Sequence, residues 1–217
     1  MKKILLVILL FFITACSKTT EIEDETLEED ISEEENLEEE NLEEEVKITM
    51  VEIILEDNRS IKLELYPEKA PLTVANFLKL VDNKYYDKTV FHRVIKNFMI
   101  QTGGYTVDEL EIRELESTSP IKGEFRSNGF NGNDILHTPG VISMARTMDK
   151  NSATGQFFIC TGTSPHLDGD YAAFGKVVDE ESLAVVMEIN QAPTENVGGH
   201  FTDFAYPIIR IKTIKRV

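Results

Sequence analysis

Apolar and polar positions recur along this chain at two periods. Period two governs 46–55 and 59–66, where Leu63 and Leu65 alternate with Lys62 and Glu64. Both segments read as strands with one solvated face, joined by the turn-forming Glu56-Asp57-Asn58. Helical spacing takes over from Pro71 to Asp82, where Val74, Phe77, Leu78 and Val81 share one face behind a proline suited to a first turn. A second helix is predicted over Ser182 to Ile189, after acidic residues that favour a helix start. Further strands are expected at 90–95, 98–102, 140–145, 156–161 and 172–178. Ile208 to Ile214 alternates strictly and forms the last strand. Eight antiparallel-type strands and two helices predict a mainly β fold, a closed eight-stranded antiparallel barrel capped by two α-helices. The polar stretch between Tyr105 and Thr138 reads largely as surface loop.

Residues 1–46 carry neither pattern. Met1-Lys2-Lys3 is a short positive start, and Ile4 to Ile13 is an unbroken run of ten apolar residues. That run is too short to span a bilayer, which takes about 20 residues, and fits the apolar core of a secretion signal. It ends in Ile13-Thr14-Ala15-Cys16, which resembles a bacterial lipobox with Cys16 acylated as the new N-terminus. An ordinary signal peptide cut nearby and a buried N-terminal helix are the alternatives. Each buried methylene contributes about 0.8 kcal/mol, so the two or more chains of a lipoprotein cysteine hold the protein at a membrane facing outside the cytoplasm.

Charge separates the remainder. The net charge is −17, and sixteen acidic residues lie between Glu21 and Glu45 with no Lys or Arg among them. From Lys47 onward there are 23 acidic and 19 basic residues, a net of only −4. The segment 17–46 thus reads as a self-repelling, disordered tether, with a calcium- or partner-binding tail as the alternative. The folded domain is 47–217. No basic cluster suggests a nucleic-acid surface, and the chain is read as a monomer. Cys160, beside Phe157-Phe158-Ile159, reads as a small buried hydrophobe.

Ordinary catalytic sets are missing from the sequence pattern. His92, His137, His166 and His200 lack metal-ligand spacing, and there is no CxxC, HExxH, phosphate loop or nucleophile elbow, so no metal or cofactor is expected. Arg93 stands out instead. In Phe91-His92-Arg93-Val94-Ile95 and Phe98-Met99-Ile100-Gln101-Thr102-Gly103-Gly104, alternation places it among large apolar side chains, where a guanidinium is costly unless its donors are used. Structural readings compete: Phe98, Met99 and Phe158 as plain core, Gln101 and Gln156 as partners of backbone groups, Arg93 in an ion pair.

These two segments are followed by Gly140-Val141-Ile142-Ser143-Met144-Ala145-Arg146, Gly155-Gln156-Phe157-Phe158-Ile159, His166-Leu167-Asp168-Gly169 and Phe174-Gly175-Lys176-Val177-Val178. In this order they resemble the cyclophilin family from about Val51 to Val217. The resemblance implies a cyclophilin-like fold and peptidyl-prolyl cis-trans isomerase activity on proline-containing polypeptides. It implies Arg93, Gln101 and Phe158 as catalytic residues. Phe98, Met99 and Leu167 would complete the proline pocket, and Ala145, Arg146, Gln156, His166 and Tyr171 the substrate groove. Many members carry Asn at the position of Arg146. His166 and Tyr171 stand where the human enzymes carry tryptophan and histidine, which bears on cyclosporin binding and peptide preference. The expected role is assisting the folding of extracytoplasmic proteins. The rival reading is a lipid-anchored module that binds proline peptides as a chaperone, with incidental turnover.

Overall fold

The computed structural model describes residues 49–109 and 111–217. The signal segment, Cys16 and the acidic stretch lie outside them. In chain order the elements are β1 (Thr49–Leu55), β2 (Ser60–Leu65), α1 (Pro71–Asp82), β3 (Arg93–Ile95), β4 (Met99–Thr102), β5 (Tyr105–Asp108), β6 (Glu111–Glu114), β7 (Val141–Met144), β8 (Phe157–Cys160), β9 (Ala173–Val177), α2 (Glu180–Gln191), β10 (Thr194–Glu195), β11 (Phe204–Ala205) and β12 (Ile211–Arg216). Among the described residues no helix is long and apolar enough to cross a membrane.

Eight strands form one antiparallel sheet in the order β12-β1-β2-β9-β7-β8-β4-β3. It is strongly curled and open, which corrects the expected closed barrel. β12 and β3 are its two ends and do not pair with each other. Where they would meet, Val90 bridges Arg210 singly, Phe91 N–H donates to Ile209 O, and Val94 N–H donates to Asp203 O. Pro207, just upstream of β12, has no N–H to extend a ladder. The eight strands and two helices match the predicted segments, and the predicted loop after Tyr105 begins with a small hairpin, β5–β6.

Alternation sorts the side chains. Val51, Ile53, Leu55, Ile61, Leu63, Leu65, Ile100, Phe157 and Ile159 point into the curl and form the main core. Helix α1 adds Phe77, whose ring lies 5.4 Å from Phe157 and 5.2 Å from Phe174, and α2 adds Val186 and Ile189. The start of α2 is capped locally, Asp179 Oδ1 accepting from Ser182 N–H at 2.7 Å. The start of α1 is capped from afar. The buried Glu124 carboxylate accepts the N–H groups of Leu72 (2.9 Å) and Thr73 (2.8 Å) and the Thr73 hydroxyl, neutralising the positive end of the helix.

Candidate active site

The same alternation places Met99, Gln101, Phe158 and Cys160 on the opposite, outer face of the sheet. Cross-strand register aligns them: Arg93 faces Gln101, Gln101 faces Phe158, and Phe158 faces Ser143. One row thus crosses four strands, from a cation through an amide and an aromatic ring to a serine. In the next row Ile95 faces Met99 and Met99 faces Cys160. Met99, Phe158, Cys160 and Leu167 form an apolar cluster separate from the main core, with Ile95, Phe98, Ala145 and Tyr171 packed around it.

Over this cluster lies a hollow of about 240 Å³. Its lining includes Arg93, Phe98, Met99, Gln101, Ala145, Arg146, Gln156, Phe158, Leu167 and Tyr171, ten of the eleven site residues implied by the sequence. His166 stands outside the lining, exposed, with its ring 5.6 Å from that of Phe98. The lining also takes in His92, Tyr105 and His200, which motif reading missed. His92 adjoins Arg93, but the other two are brought in by tertiary packing that no local pattern records.

Arg93 is exposed at the rim, and its one side-chain hydrogen bond among the described residues is a long one, 3.4 Å to Gln101 Oε1. Gln101 Nε2 donates to Gln156 Oε1 at 2.9 Å, so the two amides steady each other beside the guanidinium. Gly104 makes room for them: a Cβ there would lie 2.5 Å from Gln156 Nε2. Arg146 is held differently. Its Nε and Nη2 donate to Asp170 O and its Nη1 to Thr147 O, and its guanidinium sits 4.4 Å above the Tyr171 ring and 5.2 Å from that of Phe125.

The turn between β3 and β4 carries Phe98 at the rim. Asn97 adopts φ +59°, which asparagine tolerates. The turn is clamped by Asn190 of α2, which accepts from Asn97 N–H (3.1 Å) and donates to Ile95 O (2.9 Å). Phe158 is backed by the His137 ring, 6.1 Å away and nearly parallel. His137 Nδ1 lies 3.0 Å from Asp168 Oδ1 and its Nε2 3.0 Å from Ser143 Oγ. These are the members of a hydrolytic triad in the right sequence of contacts, but Ser143 is 0% exposed and cannot reach a substrate. Burial lowers the pKa of His137 in spite of Asp168, and burial pushes the Cys160 thiol up to about 12, so neither supplies an imidazolium or a thiolate at neutral pH. Among the described residues no group of His, Cys, Asp and Glu is placed to hold a metal ion. The arrangement offers an apolar seat, a loosely held guanidinium beside it, and amides between.

Comparison with known proteins gives a consistent result. The family model described as cyclophilin type peptidyl-prolyl cis-trans isomerase/CLD matches residues 50–216. A peptidyl-prolyl cis-trans isomerase of Acinetobacter baylyi is 40% identical over 175 residues, 76% of this chain and 87% of that one. Peptidyl-prolyl cis-trans isomerase A of Dickeya dadantii is 39% identical over 155 residues, 69% and 76% of the two chains. Among solved structures, the cyclophilin type isomerase cgd2_1660 of Cryptosporidium parvum superposes with a TM-score of 0.60 at 26% identity, covering 78% of this chain and 98% of that one. The same protein in the presence of the dipeptide Ala-Pro gives 0.59 at 27% identity, covering 76% and 96%.

Proposed function

Because this chain belongs to the cyclophilin-type peptidyl-prolyl cis-trans isomerases and is an enzyme of that class, we propose that Arg93 is its catalytic donor and the cup of Phe98, Met99, Phe158 and Leu167 its proline seat. The observation that carries this reading is the pairing of an apolar cup with a guanidinium that no carboxylate holds among the described residues. The Ala-Pro dipeptide named for the Cryptosporidium structure agrees with a proline ligand.

Rotation about a peptide bond is opposed by about 18–20 kcal/mol of lost resonance. The two isomers of an X-Pro bond differ by about 0.5–1 kcal/mol, so the barrier alone needs help. In the twisted transition state the prolyl nitrogen regains its lone pair and becomes an acceptor. A guanidinium beside the seated ring donates to that nitrogen and binds the twisted state better than the planar one, which lowers the barrier. Gln101 and Gln156 hold the flanking amide while the ring stays in its cup. No bond breaks, and no nucleophile, base or metal is called for.

Replacing Arg93 with Ala should lower kcat/KM for a test peptide about 100-fold, the scale of one charged transition-state hydrogen bond. The thermal midpoint should barely move, because the side chain is exposed. Unchanged exchange by a folded variant would sink the assignment.

We further propose that the enzyme works outside the cytoplasm, held to a membrane through acylated Cys16 and assisting the folding of proteins there. Support comes from the apolar run Ile4 to Ile13 and the lipobox-like Ile13-Thr14-Ala15-Cys16. Cys16→Ser should move the protein from the detergent phase to the aqueous phase in phase partitioning of expressing bacteria.

A further inference from the structure

The hollow continues past the apolar cup into a polar half lined by His92, Tyr105, Gln156 and His200. His200 reaches it from the segment between α2 and β12, which a third apolar cluster pins in place. Phe204 is buried there with Val90 and Tyr105, and Phe201 packs against them. Backbone bonds from Phe201 N–H to Gly198 O and from Val197 N–H to Phe201 O close a turn that presents His200. Its Nε2 lies 3.0 Å from Tyr105 Oη, and its ring centroid is 4.0 Å from that of Phe201. Behind them His92, only 4% exposed, keeps Nδ1 without a hydrogen-bond partner among the described residues.

The charge balance of this wall is opposite to that of the folded domain. Its charged lining is two arginines, Arg93 and Arg146, and among the described residues no Asp or Glu lines it. Among the described residues Arg93 bonds only to an amide. Arg146 gives three of its five donors to backbone carbonyls, and among the described residues no carboxylate is bonded to either guanidinium. A carboxylate is an acceptor without donors and suits such a wall, whereas a lysine side chain would meet like charges and an amide would bring a surplus donor.

We propose that this polar half recognises an acidic side chain near the target proline, with His200 and Tyr105 as specificity-determining residues. The proposal rests on the apolar half being the proline seat. The test measures kcat/KM of the full-length protein, in detergent, on peptides that differ only in carrying Glu, Gln or Lys at one of the two positions before or after a single proline. At one or more positions Glu should exceed Gln about fivefold at low salt, the scale of one solvent-facing ion pair, and Lys should fall below Gln. The Glu/Gln ratio should shrink in 1 M salt. In His200→Gln and Tyr105→Phe it should fall at least twofold. The ratio is internal to each variant, so partial loss of folded protein cancels. Glu/Gln ratios within twofold of one at all four positions would overturn the proposal, as would a ratio unchanged in both variants. Failure to accelerate any peptide would instead sink the isomerase site reading and this inference with it.

Discussion

Arg93 and Arg146 bring the same guanidinium to the same hollow, one tied by a single 3.4 Å bond and the other fixed by three carbonyl bonds and two rings. The first commits one of its five N–H donors and the second three, with its plane also fixed by the rings, which is why the catalytic role is proposed for the first. His92, beside Arg93, is a residue whose cost shows in solution. Burial holds its pKa at about 4, while the unfolded chain takes up a proton near 6.5. Below that value the unfolded state binds a proton that the folded state refuses. The stability is therefore whole above about pH 6.5 and lost as pH falls towards 4, by about 3 kcal/mol. His137, also lowered by burial, adds in the same direction. Urea denaturation at pH 7 and pH 4.5 checks this, and His92→Phe should flatten the difference.

At the scale of elements, the β3–β4 hairpin holds Arg93, Phe98, Met99 and Gln101, and α2 steadies it through Asn190. That amide is 0% exposed and satisfies one donor and one acceptor of the turn. Asn190→Ala takes the partner from Asn97 N–H and leaves Ile95 O with only the Phe98 N–H, at about 1 kcal/mol. The variant should unfold at lower urea and show a raised KM as Phe98 loosens, measured on the same peptides. Asn190 also marks how far the chain could be read on its own. The strands and both helices follow from periods of two and 3.6, because each depends on neighbours within a few residues. The grouping of Arg93, Gln101 and Phe158 is implied only by the family resemblance, since their row takes in β8, far from β3 and β4 in the chain. Glu124 capping a helix that starts more than fifty residues earlier, Asn190 clamping a turn 93 positions away, and His200 meeting Tyr105 are single polar contacts between distant segments. They leave no period behind. The barrel closure failed for a related reason: alternation says that a strand has an inner face, and says nothing of which strand ends the sheet.

For the molecule as a whole, β1 pairs with β12, so the first and last strands of the folded domain lie side by side. Among the described residues the core runs from Val51 to Ile214. Residues 47–217 expressed alone should therefore unfold cooperatively and match the kcat/KM of the full-length protein within about twofold on neutral peptides, by stopped-flow exchange. A domain that aggregates or loses most of its rate would show that the acidic segment takes part in folding or catalysis. The row of Arg93, Gln101 and Phe158 lies on the outer surface of a curled sheet, not within its lumen. A client chain thus needs no free end to be served. It can drape a few residues across the surface in mid-chain, which opens prolines on the loops of proteins already largely folded.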